Sequence, residues 1–364
     1  MICATTFLRT HDVAEAPPVE PGTLDLLATE VEHTLISVQI GYLEFVEKGM
    51  PQTFRDAKSY RSMLFVPGHK RDWMLKAPKY GADALLFDLE DAVPISEKDA
   101  ARSAVKDVIG EFSGRAFGRF VRINGWRTGW LLDDLNVIVV DGLDGVMLSK
   151  TEGPEDVAAL DAVLGELERS RGLPLGQIEI SPYAESASAI YGFYEVCMAS
   201  QRIRRAGGTG GPVPNGDSAR SLGVNYEEGA SEALFFGGNS ILQARAAGIV
   251  HVEGAMTTKL DDLDWVRRIS EKSKRLGASW ATAIHPSHIP ILNEVYSPSQ
   301  AEIDEARELV LAVADAIAKG EAALRYKSGL VDYAHVRSAM NLLKKAQTAG
   351  MNVGALPDFE VPAY

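Results

Sequence analysis

The chain of 364 residues carries 46% hydrophobic and 24% charged residues, which suits a large folded core and excludes intrinsic disorder. Its formal net charge of −13 excludes sequence-independent binding to nucleic acid, which needs a basic surface to displace counterions. No apolar run reaches the roughly 18 residues of a membrane span, and the two cysteines, Cys3 and Cys197, cannot build a disulfide framework. A cytoplasmic protein with neither nucleic acid nor membrane as partner is expected.

Residues 1–20 read as a polar arm ending in Ala16-Pro17-Pro18. Beyond it Leu24, Leu27, Val31, Leu35, Ile36, Ile40, Leu43 and Val46 recur at helical spacing and predict one or two helices. From Arg61 short apolar runs alternate with helical segments. Strands are expected at 63–66, 84–87, 120–123, 145–148, 178–181, 248–252 and 279–284. The helices between them are expected at 72–80, 96–111, 130–137, 154–169, 186–199 and 263–276. An eighth strand is needed between Ala199 and Gly223, where 202–207 is a weak choice. Helices at 299–319 and 333–348, with a turn at Ser328-Gly329, form a tail.

Such alternation implies a parallel sheet with right-handed crossovers, and eight units close a barrel. The predicted fold class is α/β: a (β/α)8 TIM barrel at 59–298, with an N-terminal helical extension at 1–58 and a C-terminal helical tail at 299–364. A doubly wound open sheet is the alternative, but no Gly-x-Gly-x-x-Gly follows the first strand.

A barrel keeps its chemistry at the carboxyl ends of its strands. The run Ala84 to Val93 ends in Asp88-Leu89-Glu90-Asp91, either one wall of a site or a solvated turn before Pro94. Arg122 and Asn124 end the third strand, Lys150 follows the fourth, and Glu185 follows the fifth. Gly216 and Asp217 close the Gly-rich segment 207–217, which lies mid-barrel and reads as a binding loop rather than a linker. Glu185 and Asp217 suit a hard divalent cation such as Mg²⁺, although each alone could be a capping or surface acid. Arg122 offers a planar fork for a carboxylate or carbonyl oxygen, or a structural ion pair with Asp88 or Glu90. His69, Lys70, Arg71 and Lys76 surround the start of the first helix, where they form either an anion site or a solvated basic face. His285-Pro286-Ser287-His288 reads better as a turn lock than as a metal site. No Gly-x-Ser-x-Gly elbow is present, which disfavours nucleophilic catalysis.

At these residues the chain resembles the HpcH/HpaI aldolase and citrate lyase β-subunit-like superfamily, which includes malyl-CoA, citramalyl-CoA and citryl-CoA lyases. The resemblance runs through Arg61-Ser62-Met63-Leu64-Phe65-Val66-Pro67-Gly68, Lys76-Ala77, Gly81-Ala82-Asp83 and Asp88-Leu89-Glu90-Asp91-Ala92-Val93. It continues through Ala101-Arg102, Val121-Arg122-Ile123-Asn124, Glu185-Ser186-Ala187, Gly216-Asp217, Ala244-Arg245-Ala246-Ala247-Gly248 and Ile284-His285-Pro286. It implies an oligomeric barrel, a trimer or hexamer, that uses Mg²⁺ to cleave or condense a β-hydroxyacyl-CoA into an α-keto acid and an acyl-CoA. It further implies that Glu185 and Asp217 bind the metal and that Glu90 and Asp91 stand around its waters. Arg122 would hold the α-keto acid beside Gly216, and Lys76, Lys70 and Arg71 would face the CoA phosphates. Asp332, in Gly329-Leu330-Val331-Asp332, would reach a neighbouring subunit's site as acid/base. The implied alternatives are a malyl-CoA thioesterase or malate-synthase-like enzyme, a pyruvate-type aldolase, and a citrate lyase β subunit acting on a carrier-bound acyl group. Val252-Glu253-Gly254-Ala255, Ser149-Lys150 and Trp280-Ala281-Thr282 depart from the family pattern, which puts the acyl specificity in question.

Overall fold

Alternate residues of the parallel strands face two different apolar clusters, and this parity decides which side chains reach the site. The computed structural model describes residues 55, 57–207, 213, 216–225, 231–320, 324–327, 329–348 and 350–357. The helices expected within 24–46 and most of the Gly-rich segment lie outside the described residues.

Six strands form one parallel sheet: β1 (Ser62–Pro67), β2 (Ala84–Asp88), β3 (Gly118–Ile123), β4 (Gly145–Thr151), β5 (Glu179–Ala184) and β8 (Ala281–Ala283). The sheet runs in the order β5-β4-β3-β2-β1-β8. Two short strands, β6 (Arg205–Ala206) and β7 (His251–Val252), pair in parallel with each other. Single parallel bridges join Tyr183 to Gly207 and Glu253 to Trp280, next to the two free edges of the sheet. The α/β class and the parallel strands are therefore as expected, and the sheet is curled. The weak sixth strand is present but has only two residues.

On the outer face Leu64, Val66, Leu85, Phe87, Val121, Ile123, Val146 and Leu148 join the main core under the helices. On the concave face Tyr60, Met63, Ala84, Leu86, Phe120, Met147, Tyr183 and Trp280 form a second buried cluster. Arg205, fully buried, lies against the rings of both Tyr60 and Phe120 and donates to Glu179 at 2.7 Å, so its charge is paired. Gly145 is required by this filling. A Cβ there would stand 2.5 Å from the Phe120 ring and 3.0 Å from the Glu179 Cβ. Gly145→Ala should therefore overpack the interior and cost about 1–3 kcal/mol, read as a lower urea midpoint at unchanged slope.

Several helices differ from expectation for local reasons. The first is α-helical only over Arg71–Lys76 and tightens to a 3₁₀ turn at Ala77–Tyr80, where Pro78 stands at the second position. The segment expected as one helix at 186–199 is two, Ala187–Tyr191 and Phe193–Met198, broken at Gly192. Helices Asp217–Leu222 and Ser231–Ala246 had no assigned bounds. The tail helices are Gln300–Ala318, opened by a Ser299/Glu302 capping box, and Tyr333–Thr348. An antiparallel hairpin, Leu324–Tyr326 with Gly329–Val331, joins them. This tail has its own core, built on Ile303, Val310, Val313, Val336 and Leu343. Among the described residues no helix is long and apolar enough to cross a membrane.

Candidate functional site

Strand parity aims the polar residues. In β2 the inward set Ala84 and Leu86 continues to Asp88 and then Glu90, and in β3 it continues from Phe120 to Arg122. After β5 the same alternation brings Glu185 inward behind Tyr183, and after β7 it brings in Glu253.

Arg122 is the hub. Its Nε donates to Asp88 Oδ1 at 2.8 Å and its Nη2 to Asp88 Oδ2 at 2.5 Å. Nη1 lies 3.1 Å from Glu90 Oε2, and the guanidinium sits 4.9 Å from the centre of the Phe65 ring. Burial alone would disfavour its charge, but the Asp88 carboxylate outweighs it and lifts the pKa above the ordinary value. The structural ion pair thus exists with both acids and engages all three guanidinium nitrogens. Asp88 also accepts from the Glu90 and Ala92 N–H groups at 2.8 and 3.2 Å, which fixes the turn that carries Glu90. Lys98 underlies this turn and donates to the carbonyls of Leu89 and Glu90 and to Asn124 Oδ1.

Glu185 and Asp217 line one cavity of about 150 Å³, together with Tyr183, Gly216 and Glu253. Asp217 opens its short helix after Gly216 and pairs with Arg220. Burial, with the nearby charges of Glu90 and Asp217, pushes the Glu185 carboxyl up to about 7 against the pull of Arg122. Among the described residues no three His, Cys, Asp or Glu converge as a metal cage. Two carboxylates with room for water suit Mg²⁺, which keeps much of its hydration.

Other expected residues are placed differently. Lys70, Arg71 and Lys76 are exposed, and Arg71 pairs with Glu111 at the end of the helix Lys98–Glu111. Asp332 does not line the cavity; it is half-exposed beside the tail helix and 2.8 Å from His335 Nδ1. His285 accepts from the Ser287 N–H and His288 bonds the Leu260 carbonyl, so this pair locks a turn. A larger cavity of about 440 Å³, lined by Tyr60, Arg61, Asp83 and Lys345, contains none of the expected site residues.

Two residues at the mouth were seen in the sequence without a role. Glu253, on average buried, accepts from the Tyr183 hydroxyl at 3.2 Å and the Thr282 hydroxyl at 2.5 Å. A Cβ on Gly207 would collide with its Oε2. Lys150 contacts Glu90, Asp91 and Asp217 through its ammonium and Glu185 through its backbone N–H. Its place after the fourth strand was legible, but its contacts were not.

Comparison with known proteins agrees with this geometry. The HpcH/HpaI aldolase/citrate lyase profile matches residues 61–286. The citrate lyase subunit beta of Leuconostoc mesenteroides subsp. cremoris is 31% identical over 288 residues, covering 79% of this chain and 93% of the relative. The L-malyl-CoA/beta-methylmalyl-CoA lyase of Cereibacter sphaeroides is 31% identical over 314 residues, covering 80% and 96%. Among solved structures, the protein CitE of Mycobacterium tuberculosis, in complex with magnesium, acetoacetate and coenzyme A, superposes with a TM-score of 0.61. At 22% identity over 79% of this chain and 98% of that one, it supports the fold alone. The expected family and the expected class, carbon–carbon lyases that act on CoA esters, are those of these relatives. With the profile spanning every strand from β1 to β8, the chain belongs to the HpcH/HpaI aldolase/citrate lyase family.

Proposed function

We propose that this chain is a Mg²⁺-dependent lyase that cleaves or condenses a β-hydroxyacyl-CoA, such as malyl-, citramalyl- or citryl-CoA, into an α-keto acid and an acyl-CoA. The observation that carries the reading is the convergence of Glu185 and Asp217 on one cavity beside the Arg122–Asp88–Glu90 pair. A closed (β/α)8 barrel over 59–298 as catalytic domain is supported by the two single bridges that link β5 to β6 and β7 to β8. A cytoplasmic setting fits a CoA-ester substrate and the free, buried Cys197.

Glu185 and Asp217 hold the metal, and Glu90 and Asp91 order the shell around it. Bound Mg²⁺ supplies Lewis-acid stabilisation of the oxygen that gains charge as the carbon–carbon bond breaks. Arg122 orients the keto acid through its guanidinium, which the bidentate contact with Asp88 keeps from rotating. Gly216 lets the chain approach the substrate closely. The buried floor of Tyr183 and Trp280 excludes water from below. Asp332 is the acid/base carboxylate, delivered to the mouth of another copy in a homo-oligomer, a trimer or hexamer. Lys76 with Lys70 faces the CoA phosphates, and Arg71 joins them by releasing Glu111.

The test is incubation with Mg²⁺ and a panel of malyl-, citramalyl- and citryl-CoA, with identification of both products. A keto acid with an acyl-CoA supports the lyase. Free CoA with an intact hydroxy acid indicates the thioesterase alternative, and no turnover of any free CoA ester until a carrier protein is added indicates a citrate lyase β subunit. Cleavage of free 4-hydroxy-2-keto acids alone indicates a pyruvate-type aldolase.

A further inference from the structure

Lys150 reaches the mouth against the parity of its own strand. Met147 faces inward and Leu148 outward, so strict alternation sends Ser149 inward and Lys150 out toward the helices. Instead the β4–β5 register shifts between Leu148 and Thr151, and Lys150 takes a left-handed backbone with φ +50°. For a residue with a Cβ this conformation is strained and persists only where the surroundings impose it.

The contacts show what the strain secures. The Lys150 N–H donates to Glu185 Oε2 at 3.2 Å. The ammonium bonds Glu90 and lies 3.1 Å from Asp91 Oδ2 and 3.9 Å from Asp217 Oδ2. One residue therefore touches four acids of the mouth, two of which are the proposed metal ligands.

We propose that Lys150 is the resident cation of the mouth: its backbone N–H aims Glu185, and its ammonium offsets the acidic cluster so that a divalent ion binds only against its repulsion. Lys150 is thus a positioning residue that sets how tightly the metal is held. The inference rests on the reading of Glu185 and Asp217 as metal ligands.

The backbone and the charge can be separated by substitution. Lys150→Met removes the charge, and Lys150→Gly also removes the charge but tolerates the left-handed backbone and keeps the N–H that aims Glu185. Lys150→Arg keeps a cation. Glu90 stays paired with Arg122 in all three.

The experiment is calorimetric titration of the full chain with Mg²⁺ alone, without substrate. Lys150→Gly should bind Mg²⁺ more tightly than the wild type by at least about tenfold, because a unit charge 3.9 Å from the Asp217 carboxylate no longer opposes a dication. Lys150→Met, which keeps the wild type's Cβ and left-handed backbone, should also bind more tightly than the wild type. Lys150→Arg should stay within about threefold of the wild type. Raising NaCl should narrow the difference between the wild type and Lys150→Gly.

A merely structural lysine predicts the reverse, weaker Mg²⁺ binding in every variant. Equal or weaker binding by folded Lys150→Gly overturns the inference while leaving the metal reading intact. If wild-type Mg²⁺ binding is absent, or survives both Asp217→Asn and Glu185→Gln, the metal reading itself fails and takes this inference with it. Should Lys150→Met fail to fold, Lys150→Gly decides alone.

Discussion

Asp217→Ala is expected to lower kcat/KM for the preferred CoA ester by about 10³-fold or more at Mg²⁺ concentrations that saturate the wild type, a loss worth several kcal/mol of charge stabilisation. Glu185→Gln should do the same. The two acids line one cavity, and Asp217 raises the pKa of Glu185, so each senses the other and neither site survives alone. Neither change should lower thermal stability without metal, because removing one carboxylate relieves the repulsion that burial imposes on the other. Full activity in Asp217→Ala would sink the metal assignment. Reduced activity with unaltered Mg²⁺ binding would move Asp217 from ligand to substrate contact.

Arg122→Ala is the second large effect, and it should strike both stability and activity. Asp88 and Glu90 have side chains only 2% and 4% exposed, and Arg122 is the cation that pairs with both. Removing it leaves buried carboxylates short of charge, at a cost of about 3–5 kcal/mol. Against the roughly 5–15 kcal/mol by which domains are stable, that is readily visible in a melt. Arg122→Lys keeps a cation but not the planar fork, so it should recover part of the stability while still losing about 10²–10³-fold in kcat/KM. If Arg122→Lys matched the wild type in turnover, the fork would have no part in holding the keto acid.

The comparison of these two sites shows what a linear reading of the chain can reach. Asp88, Glu90 and Arg122 follow from period-two alternation in buried strands: once Leu86 and Phe120 are assigned inward, the next inward residues are the charged ones. Glu185 obeys the same rule. Lys150 does not, because a register shift and a left-handed backbone reverse its face, and neither leaves a mark in residue type. Strand β6 was hard to see because it supplies only two paired residues, whereas β7, equally short, lies within the run expected at 248–252. Arg71 was expected at an anion site on helix-start chemistry, yet Glu111, 40 residues away in sequence, claims it across two helices. The break at Gly192 and the helix Ser231–Ala246 were missed for related reasons: glycine neighbours weaken the periodic signal whether or not the helix forms.

The filled concave face has a kinetic corollary. Eight buried side chains, from Tyr60 to Trp280, occupy the space beneath the acidic mouth, with the guanidinium of Arg205 packed against two of their rings. Among the described residues, these side chains fill the interior beneath the mouth. If both fragments leave through the mouth, the smaller one waits until the bulkier one has gone. Departure in a fixed sequence is then a property of packing at the floor, imposed by residues that never meet the substrate.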